Sequence, residues 1–190
     1  MTAISSDQQS GQPRRHREPI NTYSSSEDSA LLREAVRGYR GRSCLEVGFG
    51  SGANLPQLCE QFERVAATDI LRSERAKQKQ SCVELVFADR ATCFRDSSFD
   101  FVVFNPPYLP SESIDDPAVD GGRGGIEVPM SFLDEAVRVV RKSGKIVFLL
   151  SSECDLEEFE EHCKRLGVRT RLIRKKRMFY ETLSVYEGRK

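Results

Sequence analysis

Apolar residues along this chain alternate between helix-spaced stretches and short unbroken runs, and the alternation predicts its elements. After Ser26, the residues Leu31, Leu32, Ala35, Val36 and Tyr39 fall on one face at helical spacing. Ser26 is a suitable cap, Glu27 and Asp28 suit the positive end of the helix dipole, and Gly41 stops the pattern. Ser43 to Val47 reads as a buried strand. Asn54 opens a second helix, with Pro56 in its first turn and Leu55, Leu58 and Phe62 facing inward. Val65 to Thr68, closed by Asp69, is a second strand, Val83 to Phe87 a third, and Phe99 to Phe104 a fourth. The fourth is apolar on both faces except at Asp100, as in a covered parallel sheet. Glu127 to Lys142 is amphipathic and stops before Gly144; Ile146 to Leu150 follows as a fifth strand. Leu156, Phe159, Cys163 and Leu166 mark a helix that Gly167 ends. Val168 to Ile173 and Thr182 to Tyr186 are β-like runs with no room for a helix between them, so they pair antiparallel. Leu71 to Gln80 is polar nearly all round and fits a helix or a loop equally. The order is alternating α/β: a mostly parallel sheet, helices on both faces and an antiparallel finish.

Bulk properties narrow this picture without redirecting it. A length of 190 residues supports one well-buried core. Hydrophobic residues make up 38% and charged residues 31%, with zero formal net charge, so the whole molecule is no polycation built to coat nucleic acid. No apolar run reaches the roughly 18 residues of a membrane span, and Met1 to Gly11 lacks the apolar core of a signal peptide. Met1 to Pro19 reads as a disordered, solvated tail carrying the basic cluster Arg14-Arg15-His16-Arg17, which leaves residues 20–190 as the folded domain. The six scattered cysteines are expected as reduced, buried thiols of a cytoplasmic protein. With only His16 and His162, no metal site is expected.

Chemistry concentrates where the predicted strands end. Glu46-Val47-Gly48-Phe49-Gly50-Ser51-Gly52 runs from the first strand through three alternate glycines into a helix, so that the backbone can bend and approach a ligand closely. Asp69, ending the next strand about 20 residues past the first glycine, is placed to hold both hydroxyls of a ribose. Glu46 sets a negative charge beside the loop. That charge suits the sulfonium and ammonium of S-adenosylmethionine and would repel a pyrophosphate. Asp89, after the third strand, is placed to accept from an exocyclic amine such as that of adenine.

Asn105-Pro106-Pro107-Tyr108, directly after the fourth strand, is the most specific signal. An amide or ring NH2 is a weak nucleophile because its lone pair is delocalised. Two acceptors, one for each N–H, counter this by orienting the nitrogen and stabilising charge as it develops. The Asn105 side-chain oxygen supplies one and the Pro106 carbonyl the other. Tyr108 offers a flat face for a planar amide or base.

On these residues the chain resembles the HemK-like class I amino-methyltransferases with the N-P-P-Y signature, and within them the eukaryotic and archaeal release-factor glutamine methyltransferases. Tyr23-Ser24-Ser25-Ser26-Glu27-Asp28-Ser29-Ala30-Leu31-Leu32 is similar to the family's Y-x-P-x-E-D-[TS]-x-L-L segment. Glu181-Thr182-Leu183-Ser184-Val185 matches its E-[TS]-L-S-V ending, and Asp120-Gly121-Gly122-Arg123-Gly124-Gly125 its glycine-rich stretch. The resemblance implies a single-domain, Rossmann-like, seven-stranded sheet whose last strand is reversed. It implies S-adenosylmethionine contacts at Ser29, Glu46, Gly48, Gly50, Gly52, Asp69, Asp89, Arg90 and Asn105, and catalytic roles for Asn105, Pro106 and Tyr108. It further implies glutamine N5-methylation in the Gly-Gly-Gln motif of a class I translation release factor, and a small zinc-binding activator subunit covering the edge of the third strand. Ser25 departs from the family's usual proline, and the stretch from Leu71 to Gln80 shortens one connection beside the adenine pocket.

Arg169, Arg171, Arg174, Lys175, Lys176 and Arg177 crowd the final hairpin. A solvated edge strand accounts for them. They also keep adenine N6 of RNA or DNA as the second substrate reading, although no aromatic-interleaved basic groove accompanies them. A nucleotide-binding or NAD-dependent dehydrogenase module ranks third, because it leaves Asn105 to Tyr108 without a role.

Overall fold

A computed structural model describes residues 25–71 and 82–190. The predicted tail, and nearly all of the polar stretch from Leu71 to Gln80, lie outside the described residues. Seven strands form one sheet: β1 (Gly41–Val47), β2 (Phe62–Asp69), β3 (Val83–Phe87), β4 (Phe99–Phe104), β7 (Val140–Ser151), β8 (Arg169–Arg177) and β9 (Thr182–Arg189). Their order is β3-β2-β1-β4-β7-β9-β8, with β9 antiparallel to both of its neighbours. The remaining neighbours pair in parallel, so β1, β2, β3 and β4 all finish at the same end of the sheet. A two-stranded ladder of β5 (Leu109–Pro110) and β6 (Asp120–Gly122) forms a small lobe beyond β4.

Alternation along β4 assigns the faces. Phe101 packs on Tyr39 and Phe62, on the side of α1 (Ser25–Val36) and α2 (Leu55–Gln61). Phe104 packs on Phe132 and Phe148, and Phe148 on Phe159, on the side of α3 (Glu127–Val139) and α4 (Leu156–Arg165). Side chains of α2 hold α1 in place: the Gln57 amide donates to Arg33 O at 2.9 Å, and the Gln61 amide to Val36 O at 2.8 Å. These bonds use carbonyls that the last turn of α1 leaves without helical partners. On the opposite face, the Arg138 guanidinium donates to the carbonyls of Ala91 and Phe94, each at 2.8 Å, and pairs with Asp96. It thereby ties the turn after β3 to α3. Asp155 caps α4 by accepting from Glu158 N–H at 3.1 Å.

Several boundaries differ from expectation. Helix α1 stops at Val36, and Gly41 begins β1 instead of ending the helix. Phe62, expected on α2, starts β2, where its ring stacks on Phe101. The fifth predicted strand is longer, running from Val140 to Ser151. The reduced-thiol reading is corrected at two positions. Cys59 on α2 and Cys82 before β3 lie with Cα atoms 6.0 Å apart and form a disulfide. Helix α2 packs on β2 and β3 runs beside β2, so the two cysteines converge. Cys44, Cys154 and Cys163 are buried free thiols, and Cys93 is exposed. Among the described residues no helix is long and apolar enough to cross a membrane.

Candidate active site

Strands β1 to β4 deliver their terminal residues to one rim. The loop after β1 bends back toward β2, since Gly48 N–H and Phe49 N–H both donate to Thr68 O, at 2.8 and 3.1 Å. Gly48, Gly50 and Gly52 hold φ of 73°, 52° and 73°, the left-handed region that side chains strain. Asp69 is oriented by backbone: Gly50 N–H and Leu71 N–H each donate to one of its carboxylate oxygens at 2.8 Å.

Glu46 sits under this loop, buried. Its Oε1 accepts from the Asn54 side-chain amide at 2.7 Å, while Glu46 Oε2 and Asn54 Oδ1 are buried with no hydrogen-bond partner. Burial, with a smaller push from the Asp69 charge, raises the Glu46 carboxyl to about 7, even though Asn54 and Arg33 oppose the shift. Two buried acceptors without partners, one on an acid and one on the amide bonded to it, suit a cation with several N–H donors, and a primary ammonium is such a group. Asn54 was expected only to open α2; it makes no side-chain cap and turns to Glu46 instead. At the end of β3, Arg90 donates to Asp89 at 2.9 Å and to Ser131 Oγ at 3.1 Å, with its own φ at 49°.

The Asn-Pro-Pro-Tyr run leaves β4 toward the first turn of α1. Tyr108 is only 8% exposed, and its hydroxyl donates to Asp28 Oδ2 at 2.8 Å. Asn105 lies near enough to favour the ionised form of the same carboxylate. Asn105 Oδ1 is buried and has no partner. Burial raises Asp28 above the usual carboxylate range, although its bond to Tyr108 and the nearby Asn105 pull the other way. Ser29 follows on the same helical turn, half-buried. Glu181, at the mouth of the final hairpin, accepts from Ser151 Oγ, and its charge reaches Asp28 and Tyr108. With so little of its ring exposed, Tyr108 acts here as an anchor, and most of the flat face expected for stacking is covered.

The glycine-rich stretch exists because the lobe presses on this run. A Cβ at Gly121 would lie 2.7 Å from Tyr108 Cα, and one at Gly125 would lie 2.4 Å from Tyr108 O. The structure thus gathers Ser29, Glu46, the three glycines, Asp69, Asp89, Arg90, Asn105, Pro106 and Tyr108 at one end of the sheet. It adds Asp28, Asn54 and Glu181, to which sequence reasoning gave no part in the site. Of these, Asp28 and Glu181 were already visible inside the two family-like segments.

A methyltransferase-domain family model matches residues 45–106. The chain is 29% identical to a putative protein N5-glutamine methyltransferase of Methanocaldococcus jannaschii over 178 residues, covering 86% of this chain and 89% of the archaeal protein. It is 33% identical to the release factor glutamine methyltransferase of Caulobacter vibrioides over 125 residues, which span 54% of this chain and 43% of the bacterial one. Among solved structures, it superposes on the E. cuniculi Mtq2–Trm112 complex with a TM-score of 0.74 at 30% identity, covering 88% of this chain and 98% of that one. The chain belongs to the HemK-like glutamine methyltransferase family. As a HemK-like methyltransferase it has the expected seven-stranded sheet with a reversed β9. The more distant YcgJ protein of Bacillus, at 10% identity and a TM-score of 0.65, shares the fold alone.

Proposed function

We propose that this methyltransferase uses S-adenosylmethionine to methylate the glutamine side-chain nitrogen of the Gly-Gly-Gln motif in a class I translation release factor. The observation that carries the reading is the side-chain oxygen of Asn105, buried directly after β4 and without a hydrogen-bond partner. An acceptor so placed lacks only a substrate N–H. A carboxamide NH2 has two such N–H groups, and the Pro106 carbonyl is the candidate acceptor for the second.

The residues present fit the cofactor. Glu46 Oε2 and Asn54 Oδ1 would take its ammonium, Asp69 its ribose hydroxyls and Asp89 its adenine amine. Ser29, Gly48, Gly50, Gly52, Arg90 and Asn105 would line the remainder. When bound, the cofactor supplies an electrophilic methyl group activated by positive sulfur. The protein's own part is to orient the nitrogen, exclude water and lend acceptors as positive charge develops, for which no strong base is needed.

The E. cuniculi Mtq2–Trm112 complex is responsible for methylation of the eRF1 translation termination factor. That likeness supports both the substrate and a small zinc-binding activator subunit here. Strand β3 is the candidate activator surface: it is an edge strand of five residues with Phe87 43% exposed. The nucleic-acid reading is weakened by the pairing of Arg174 with Glu34, Lys176 with Glu27 and Arg171 with Glu187, which neutralises half of the basic hairpin. The test is to supply labelled S-adenosylmethionine, purified release factor and bulk RNA to the protein with its activator. Label on a Gly-Gly-Gln glutamine is the expected result, and label on RNA alone would overturn the reading.

A further inference from the structure

We infer that Phe179 and Tyr180, at the turn joining β8 to β9, form a docking point for the protein that is methylated: they take an apolar side chain near its acceptor glutamine, and Lys175 and Arg177 beside them take an acidic one. The inference rests on the protein-methylating function proposed above and adds residues that lie outside the cofactor and amide sites.

Neither turn chemistry nor packing within the fold accounts for the aromatic pair. Residues 178–181 connect Arg177 to Thr182, which face each other across the hairpin. None of the four takes a positive φ, and Met178 N–H donates to Glu181 O at 2.8 Å. Turns are ordinarily made from Gly, Asn, Asp, Pro or Ser, which are small or shape the backbone. Here two bulky rings hold the corners. They meet edge to face with centroids 4.6 Å apart, yet Phe179 is 88% and Tyr180 76% exposed. Rings left in water forgo hydrophobic stabilisation that contact with a partner would recover. The base beneath them is fixed. Met178 packs on the core, Thr182 N–H donates to Ser152 Oγ and Ser152 N–H to Thr182 O, both at 2.9 Å, and Glu181 accepts from Ser151 Oγ. A partner that meets rings on so firm a base has little ordering entropy to overcome.

Position and charge select the occupant. Strand β9 starts beside the end of β7, so the turn stands at the rim where β4 finishes. Strands β9 and β8 lie two and three places from β4, roughly 10 and 14 Å at ~4.8 Å per strand. A protein with its glutamine at Asn105 therefore spans to the turn within a few residues. Strand β3, the candidate activator surface, is at the opposite edge of the sheet, so an activator seated there leaves the turn free. Arg174 and Lys176 pair with Glu34 and Glu27 of α1. Lys175 and Arg177, on the other face of β8 by alternation, are exposed and have no acidic partner among the described residues. An apolar side chain next to a carboxylate is the matching surface. A nucleic-acid strand matches less well, since an edge-to-face pair offers no series of parallel platforms and two cations make no groove along a backbone.

The test is steady-state kinetics on the complex with its activator, using whole release factor as substrate. Phe179→Ser combined with Tyr180→Ser should raise the release-factor KM by about tenfold or more, with kcat, cofactor Kd and melting temperature unchanged. Phe179→Leu combined with Tyr180→Phe keeps an apolar surface and should restore most of the affinity. Lys175→Gln combined with Arg177→Gln should raise KM by about three- to tenfold at low salt and flatten its dependence on ionic strength. An unchanged KM in the double Ser variant, or an equal loss in the Leu and Phe variant, overturns the docking inference and leaves the proposed function standing. A double Ser variant that loses affinity for bulk RNA, and none for release factor, overturns it in favour of a nucleic-acid partner. If the unsubstituted complex methylates no Gly-Gly-Gln protein, the proposed function falls and the docking inference falls with it.

Discussion

Where β1 and β4 begin, Asp100 is met by the Arg141 guanidinium, by Ser43 N–H and by Ser43 Oγ; Glu187, at the same end, is met by Tyr39, Arg171 and Arg189. Where those strands finish, Glu46, Asp28 and Glu181 have only amides and hydroxyls as direct partners. The proton equilibria follow. Burial pushes all five acids upward. At the first end, hydrogen bonds and nearby cations outweigh it and hold Asp100 and Glu187 below the ordinary range. At the second end burial prevails, and all three acids rise. One end of the sheet has its charges matched within the fold. The other carries negative charge that a positively charged cofactor, and a nitrogen acquiring positive charge, would complete. Unmatched charge of this kind costs stability, and it marks the end of the sheet where the chemistry belongs.

Four substitutions sharpen or break this contrast. Asn105→Ala should have the largest effect, lowering kcat at least about 10²-fold while cofactor affinity stays within a few-fold, as steady-state kinetics and calorimetry would show. A fully active variant would contradict the acceptor role. Asp69→Ala should weaken cofactor binding by about 1.5–3 kcal/mol, the scale of hydrogen bonds to a charged group; unchanged affinity by calorimetry would place the ribose elsewhere.

The Glu46 carboxyl, raised to about 7, makes the next prediction one of pH. A cationic cofactor selects the ionised form, so binding releases a proton, and affinity should fall by about tenfold per pH unit below 7 and level off above it. Glu46→Gln should weaken binding and flatten that profile. Without cofactor the sign for folding is reversed. The folded state holds a proton that the unfolded chain gives up, so Glu46 lowers stability as pH rises from about 4.5 to 7. Thermal melts across that window, with and without cofactor, would test both signs.

Asp100→Asn, at the matched end, should be the mildest. The pair with Arg141 is about one-third exposed, so the loss should be about 0.5–1 kcal/mol of folding stability, with kcat unchanged. The contribution of Asp100 is present above its unfolded value of about 3.9 and is lost as pH falls through its lower folded value. A kinetic defect in this variant would break the comparison, since it would give the matched end a share in the chemistry.

Much of this division can be read from residue order. Strands β3 and β4 fall where their apolar runs predict, and Glu46, Asp69, Asp89 and Asn105 reach one rim because each closes or follows a parallel strand. Local pattern stops short where a side chain chooses a distant partner. The Asp28–Tyr108 bond spans 80 residues, and no periodicity encodes it. Asn54 looks like a helix opener because Asn is common at caps, yet a buried carboxylate eight residues earlier is the stronger attraction. Phe62 has the spacing of α2, but its ring packs on Phe101 from the start of β2; tertiary packing overrides periodicity there. The Cys59–Cys82 bond depends on the neighbouring positions of α2 and β3, a matter of sheet order that composition cannot report.

The contact between the glycine-rich lobe and Tyr108 has a consequence for how this sequence can vary. Gly121 and Gly125 lie outside the Asn-Pro-Pro-Tyr run, yet the smallest possible side chain at either would collide with its backbone. Deep mutational scanning should therefore find two separated islands of intolerance, one at residues 105–108 and one at 121–125, with a permissive bridge between them at the exposed residues 112–119. Length changes in that bridge should be accepted far more readily than a single methyl group at Gly125.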